Sequence, residues 1–217
     1  MDDDAEFLEV LEFNLPKAWN VQTFTSPVAC LRHLLEEPVR WEADYRAQQK
    51  IIELWHSEEM PLIPQVLQYW ASNHARYQLT KVCVSAYLMP AMDGMEMLSK
   101  LGDWPGQRVL LTGSNSDNVA MTAFNEDLID RFISKKDPAL TAQLLAAVGS
   151  LLHKPNERFH QIWSATLSAE QTALLQSPSI AEDLRAFAEK KWVEWVVIGE
   201  PFGILGLDRA GNASWLG

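Results

Sequence analysis

The stretch KVCVSAYLMPAMDG, residues 81–94, decides the fold. Its first five residues, 81–85, are β-branched or apolar on both faces, which is typical of a strand buried inside a parallel sheet. Turn-forming proline, aspartate and glycine follow at positions 90, 93 and 94. The stretch therefore predicts a buried strand that runs into a tight loop.

Two further apolar runs have the same character, RVLLT at 108–112 and RFIS at 131–134. Helical patterns at 94–101 and 117–125 lie between the strands, and a third follows Pro138 to about residue 152. Strands that alternate with helices at this spacing predict an α/β fold with a parallel sheet.

The segments around this core are more varied. Before it, we expect a helix at 5–15, a short strand at 19–24 and a helix from Ser26 through Leu35. Residues 36–78 predict a helical insertion with helices at 41–57 and 63–77. After residue 152 we expect helices at 157–164, 168–175 and 180–191, and then three strands of an antiparallel meander. The predicted organisation is a first domain at 1–152 and a small α+β appendage at 153–217.

Composition excludes several classes of function. The net charge of −11 argues against a surface that binds nucleic acid or anionic lipid, since both need clustered lysine and arginine. No apolar stretch is long enough for a membrane span, and no secretory leader is visible. Cys30 and Cys83 lie in apolar runs and are expected to be reduced and buried, so we expect a cytoplasmic protein. The five histidines share no metal-ligand spacing.

In a parallel α/β sheet, function collects at the carboxyl ends of the strands. Ala86 follows the first of the three strands, Thr112 ends the second and Lys135 follows the third, while Asp2 and Asp3 precede the first helix. Each feature alone has an ordinary explanation: aspartates cap helices, a threonine ends a strand and a lysine is solvated. Their joint order and spacing, together with the loop YLMPAMDG, need a common explanation.

This set resembles the receiver domain of two-component response regulators, over residues 2–152. The resemblance implies a doubly wound parallel sheet of flavodoxin-like type. It also implies that Asp2 and Asp3 hold Mg²⁺, that Thr112 and Lys135 contact phosphoryl oxygens, and that Phe132 is the switch aromatic. Asp93 and Gly94 are expected to shape a turn.

The sequence departs from the receiver pattern at the phosphate-accepting aspartate, whose place is taken by Ala86. A methyl group offers neither a nucleophile nor a metal ligand, so any Mg²⁺ binding is expected to be weakened. Ser85 is not expected to replace the acceptor, because alternation along the strand points it to the opposite side. Lys136 stands where the family often has proline.

A second departure is the missing first strand, since Met1 directly precedes Asp2. Three explanations are open: the sequence starts inside that strand, the second strand meets the third, or a strand is borrowed from elsewhere. An open gap would leave backbone groups unpaired and lower the stability.

These observations favour a non-enzymatic signalling module, either a natural pseudo-receiver or a phosphorylation-disabled regulator, that acts through protein–protein contact. The expected partners are a sensor histidine kinase or another signalling protein, with a homodimer also possible and with no nucleic acid or membrane. The alternative is a DNA-binding transcriptional response regulator, although its basic recognition helix is missing from the last third. An enzyme in the appendage is disfavoured because GEPFGILG, residues 199–206, lacks the lysine and spacing of a phosphate-binding loop.

Overall fold

A computed structural model of the chain describes residues 1–17, 19–113, 117–152 and 162–217. The chain forms two compact units, each built from two separate segments. The first unit comprises Met1–Trp41 and Gln78–Lys154, and the second comprises Glu42–Tyr77 and Pro155–Gly217. Residues 42–77 make up most of the insertion predicted at 36–78. They therefore belong to the same unit as the C-terminal segment.

The first unit contains a parallel sheet of three strands. They are β1 (Val82–Ala86), β2 (Gln107–Thr112) and β3 (Arg131–Ser134), in the order β1-β2-β3. The apolar runs predicted all three strands to within one residue at either end. The predicted α/β class with a parallel sheet of receiver type is confirmed.

The helices follow the predicted periodicity, except that the helix predicted at 63–77 already ends at Ser72. They are α1 (Ala5–Asn14), α2 (Pro27–Leu35), α3 (Pro38–His56), α4 (Leu62–Ser72), α5 (Gly94–Lys100), α6 (Asp117–Asn125), α7 (Leu140–Leu152), α8 (Ala169–Leu175) and α9 (Pro178–Lys191). Short 3₁₀ turns occupy His74–Gln78 and Trp163–Thr166. Most of the helix predicted at 157–164 lies outside the described residues.

Capping side chains set the starts of the two helices nearest the N-terminus. The carboxylate of Asp4 accepts the N–H of Phe7 at 3.0 Å, and the hydroxyl of Ser26 accepts the N–H of Ala29 at 3.4 Å. Such caps satisfy backbone donors that the first turn of a helix leaves without a partner. The predicted start of α2 after Ser26 is confirmed.

Helices cover both faces of the parallel sheet, as expected for a doubly wound fold. On one face, α2, α5 and α6 pack on β1 and β2 and bury residues that include Cys30, Leu34, Cys83, Met97, Leu98, Leu110 and Ala123. On the other face, α1 and α7 bury residues that include Leu11, Val109, Leu111, Ile133, Leu144 and Val148. Both cysteines are buried free thiols.

The predicted strand at 19–24 is wrong, because these residues have no strand assignment. Trp19 and Phe24 pack against the core clusters on the two faces of the sheet, and the carbonyl of Phe24 accepts the N–H of Asp2 at 3.1 Å. A strand needs a ladder of such bonds with a neighbour. The single bond to Asp2 does not make a ladder.

Met1 itself lies beside β1. Its nitrogen donates to the carbonyl of Val84 at 2.8 Å, and its carbonyl accepts the N–H of Ala86 at 3.0 Å. This alternation is the hydrogen-bond pattern of a parallel ladder. Within the described residues the sheet has no fourth strand, and direct pairing of residues 19–24 with β1 is not seen.

The second unit contains an antiparallel meander, as predicted. Its strands are β4 (Glu194–Gly199), β5 (Phe202–Leu207) and β6 (Ala213–Leu216), in the order β4-β5-β6. One face packs against α3 and α4, where Ile52, Val66 and Tyr69 are buried with Val196, Ile198 and Leu205. The other face packs against α9 through Trp192, which lies over Gly206 and donates to the hydroxyl of Ser214 at 2.7 Å.

A partly buried ion pair joins the two segments of the second unit. The guanidinium of Arg76 donates to both carboxylate oxygens of Glu194, at 3.0 and 2.7 Å, and Tyr77 donates to the same carboxylate at 2.7 Å. The side chain of Arg76 is 7% exposed. Such bidentate geometry satisfies a buried charge, so this contact ties the end of the inserted segment to β4.

Across the described ranges, no helix combines the length and apolarity that crossing a membrane requires.

Candidate functional site

The carboxyl ends of the three parallel strands gather the residues that the sequence analysis singled out. The register pairs Ala86 with Leu111 and Thr112 with Ser134, so β1, β2 and β3 end at the same edge of the sheet. Because Met1 pairs beside β1, Asp2 lies at this edge as well. The carboxylate of Asp2, the methyl group of Ala86 and the hydroxyl of Thr112 therefore belong to residues at this edge. The segment that carries Lys135 starts at the same edge.

Asp2 is buried, with an exposed fraction of 1%. Its backbone N–H donates to the carbonyl of Phe24. One carboxylate oxygen, Oδ1, accepts the N–H of Asp4 at 3.2 Å. The other oxygen, Oδ2, forms an ion pair with the ammonium group of Lys135. The neighbouring Asp3 is exposed. Of the two aspartates expected to act together, one is engaged inside the site and the other faces solvent.

Lys135 is held at three points. Its backbone N–H donates to the carbonyl of Thr112 at 2.7 Å, which extends the pairing of β2 with β3 by one residue. Its ammonium group pairs with Asp2, and the same group lies 4.6 Å from the centroid of the Phe7 ring. A cation over an aromatic face is attracted by the ring quadrupole. The side chain is therefore positioned rather than free in solvent, and it is 24% exposed.

Position 86 carries a buried methyl group at the end of β1, with an exposed fraction of 1%. The hydroxyl of Ser85 donates to the carbonyl of Ala86 at 3.0 Å and is fully buried. Gly94 lies against the same carbonyl, and a Cβ atom built there would be 2.1 Å from that oxygen. The start of α5 therefore closes over the end of β1, and only glycine fits at this contact.

Thr112, a predicted phosphoryl contact, and Phe132, the predicted switch aromatic, lie in the same unit. Thr112 is completely buried, and its carbonyl receives the N–H of Lys135. Phe132 is half-buried and packs against the cluster that contains Met97 and Leu98. Asp93 caps α5 by accepting the N–H of Glu96 at 2.8 Å, in agreement with its expected turn-forming role.

The residues present do not fit a Mg²⁺ ion well. Mg²⁺ requires near-octahedral oxygen coordination and usually takes one or two carboxylates. Oδ1 of Asp2 accepts the N–H of Asp4, and Oδ2 accepts no hydrogen bond but lies in the ion pair with Lys135. Asp3 is exposed, and Ala86 offers no side-chain oxygen. Among the residues that the structure describes, no group of three or more His, Cys, Asp and Glu side chains could hold a metal.

Two residues of the site were not identified from the sequence. In the sequence, Phe7 is an ordinary apolar residue of a helical pattern, and Asp4 is an ordinary helix-capping aspartate. In the structure Asp4 fixes both the start of α1 and the Oδ1 atom of Asp2, and Phe7 then faces Lys135. No pattern within 2–8 could reveal the contact with residue 135, because it depends on how α1 packs beside β3.

Comparison with known proteins supports the fold. No protein-family model and no curated protein matches the sequence. Among solved structures, the response regulator LqsR of Legionella pneumophila matches 99% of this chain, with 24% identity and a TM-score of 0.66. This chain spans 62% of the length of that chain.

Weaker matches have TM-scores below 0.5. They include an adenylate cyclase from Rhodopirellula baltica, with 19% identity, a TM-score of 0.44 and coverage of 81% of this chain and 94% of that chain. They also include a response regulator receiver domain protein from Clostridium thermocellum, with 16% identity, a TM-score of 0.42 and coverage of 70% of this chain and 89% of that chain. The parallel sheet covered on both faces, together with the likeness to LqsR, shows that this chain has the fold of a response-regulator receiver.

Proposed function

We propose that this chain is a two-component-type signalling module, a pseudo-receiver that is not phosphorylated at position 86 and acts through protein–protein contact. The observation that carries the proposal is the composition of the site at the carboxyl edge of the sheet. The end of β1 presents the methyl group of Ala86, and the buried Asp2 is paired with Lys135. The edge retains the charged and hydroxyl groups of a receiver but lacks the carboxylate at position 86 that would accept a phosphoryl group.

Phosphoryl transfer to a protein needs an accessible nucleophile. Ala86 has none, and the neighbouring Ser85 is not a substitute, because its hydroxyl is fully buried and bonded to the carbonyl of Ala86. Gly94 lies against the Oγ atom of Ser85 from the side of α5, where an added Cβ would be only 2.7 Å away. A phosphoryl donor therefore has no route to this hydroxyl without displacing α5.

The proposed output is contact with another protein of the signalling pathway, either a sensor histidine kinase or a downstream partner, or with a second copy of the chain. The net charge of −11 supports a protein partner over DNA, because non-specific binding to the phosphate backbone depends on clustered basic residues. The second unit, with its separate sheet, provides a surface that a lone receiver sheet lacks. We place this activity in the cytoplasm.

The test is phosphorylation of the purified chain by acetyl phosphate in the presence of Mg²⁺, followed by intact mass spectrometry. The wild-type chain is expected to remain unlabelled, as is a matched Ala86→Asn variant that adds bulk without a nucleophile. An Ala86→Asp variant provides the positive control for an acid-labile acyl phosphate. Stoichiometric labelling of the wild-type chain at any residue of the first unit would refute the proposal.

A further inference from the structure

The geometry points to Lys135 as the resident cation of the site: its ammonium group neutralises Asp2 in place of a divalent metal, so the site does not depend on Mg²⁺. The inference deepens the proposed function, and it rests on that function in treating position 86 as the acceptor position of a receiver. It concerns how the site is held in one state rather than whether it can be phosphorylated.

The charge balance of the buried edge supports this assignment. Asp2 is 1% exposed, and a buried carboxylate requires a counter-charge or hydrogen bonds to compensate for the loss of water. Oδ1 accepts the N–H of Asp4, whereas Oδ2 accepts no hydrogen bond and is compensated only by the charge of the Lys135 ammonium group. One negative and one positive charge leave the pair neutral. An aspartate at position 86 would add a second negative charge, which is the condition that a divalent cation relieves.

The position of Lys135 is determined by the fold and not only by attraction to Asp2. Its backbone continues the β2–β3 pairing through Thr112, so the side chain leaves the sheet at the edge where Asp2 lies. The Phe7 ring lies 4.6 Å from the ammonium group. Phe7 is itself located by the Asp4 cap at the start of α1. A cation that is fixed in this way loses little further conformational freedom when it pairs with Asp2.

The two neighbouring aspartates do not provide a second site for the metal. Asp4 uses its carboxylate to cap α1, and Asp3 is exposed. A single solvated carboxylate binds Mg²⁺ weakly because the ion gives up its water ligands reluctantly. Mg²⁺ would therefore have to displace Lys135 from Asp2, and the ammonium group would then lose its buried partner.

The experiment measures the thermal unfolding midpoint of the full chain with and without millimolar Mg²⁺, using NaCl at equal ionic strength as the control. The variants are Lys135→Met, Lys135→Arg, Ala86→Asp and, as a matched control, Lys136→Met, which changes an exposed neighbouring lysine. We expect no specific response to Mg²⁺ in the wild-type chain or in Lys136→Met. Lys135→Met is expected to lower the midpoint by at least about 5 °C relative to Lys136→Met.

Lys135→Arg keeps the charge and is expected to recover most of that loss, which separates the role of the cation from simple packing on Phe7. Ala86→Asp is expected to gain a midpoint that rises with Mg²⁺. The inference is overturned if Mg²⁺ stabilises the wild-type chain saturably and NaCl does not, or if Lys135→Met and Lys136→Met melt alike. If Lys135→Met fails to fold, the wild-type titration and Lys135→Arg still decide the matter.

The two proposals fail in different ways. A wild-type chain that accepts phosphate from acetyl phosphate contradicts the proposed function, whatever its response to Mg²⁺. A chain that stays unlabelled but is specifically stabilised by Mg²⁺ contradicts only the resident-cation inference.

Discussion

Glu37 is the side chain whose removal should most clearly weaken the first unit. Its carboxylate is completely buried and lies just before the point where the chain leaves the first unit at Trp41. It accepts the N–H of Thr80 at 3.2 Å, the hydroxyl of Thr80 at 2.6 Å and the indole N–H of Trp104 at 3.0 Å. Thr80 lies just after Gln78, where the chain returns to the first unit. The hydrogen bonds of Glu37 therefore join the end of the first segment of this unit to the start of its second segment.

The magnitude follows from the number of buried donors that would lose their acceptor. In Glu37→Ala, three donors on Thr80 and Trp104 lose their partner, and a buried donor without an acceptor costs about 1–3 kcal/mol. Removal of the carboxylate also relieves its own desolvation, which offsets part of this cost. We therefore expect a loss of about 3 kcal/mol in the free energy of unfolding of the first unit, a large share of the stability of an ordinary domain.

The assay is urea unfolding followed by circular dichroism, combined with hydrogen exchange at the Thr80 amide. Glu36→Ala is the matched control, because this neighbouring glutamate is exposed. In Glu37→Ala the Thr80 amide should exchange faster, and the unfolding midpoint should fall with little change in slope. The reasoning is refuted if Glu37→Ala and Glu36→Ala unfold within about 0.5 kcal/mol of each other.

Two further predictions concern the end of β1 and the alkaline stability of the second unit. Gly94→Ala should destabilise the first unit by about 3 kcal/mol in urea unfolding, since its Cβ would be 2.1 Å from the carbonyl of Ala86. Gly113→Ala, where no atom lies within 4 Å of the added Cβ, should be near neutral, and equal losses would contradict the steric account. Burial, followed by the hydrogen bond to Glu194, raises the pKa of Tyr77 to about 12. The folded chain then holds this proton where the unfolded chain has released it, so stability should fall as the pH rises from about 10 to about 12. Tyr77→Phe should flatten that part of the pH profile, and an unchanged slope would count against the hydrogen bond.

The local elements of the fold could be predicted from the sequence because their causes are local. Alternating or continuous apolar runs predicted β1, β2 and β3, and helical spacing with capping residues such as Ser26 predicted α2. The segment at 19–24 also has a β-like pattern, but it forms no strand. A pattern measures the preference of one segment, whereas a strand also requires a ladder of hydrogen bonds with a neighbouring strand.

The grouping of segments into units could not be predicted in the same way. The helices of residues 42–77 looked like an addition to the first domain, yet Val66 and Tyr69 are buried with Val196 and Leu205 of the C-terminal meander. Each segment presents an apolar face, and the sequence does not say which other face covers it. The ion pair between Arg76 and Glu194 is equally invisible in the sequence, because its partners are 118 positions apart.

The candidate site shows the same division between local and tertiary causes. The sequence by itself determined the identity of the residue at the end of β1, Ala86, and hence the absence of a nucleophile there. It also indicated that Asp2 and Lys135 belong to one edge of the sheet. Only the tertiary structure decided that these two pair directly and that Phe7 lies against the ammonium group. The physical reason is that residue type dictates what chemistry a side chain can perform, while the packing of α1 and β3 dictates which charge it meets.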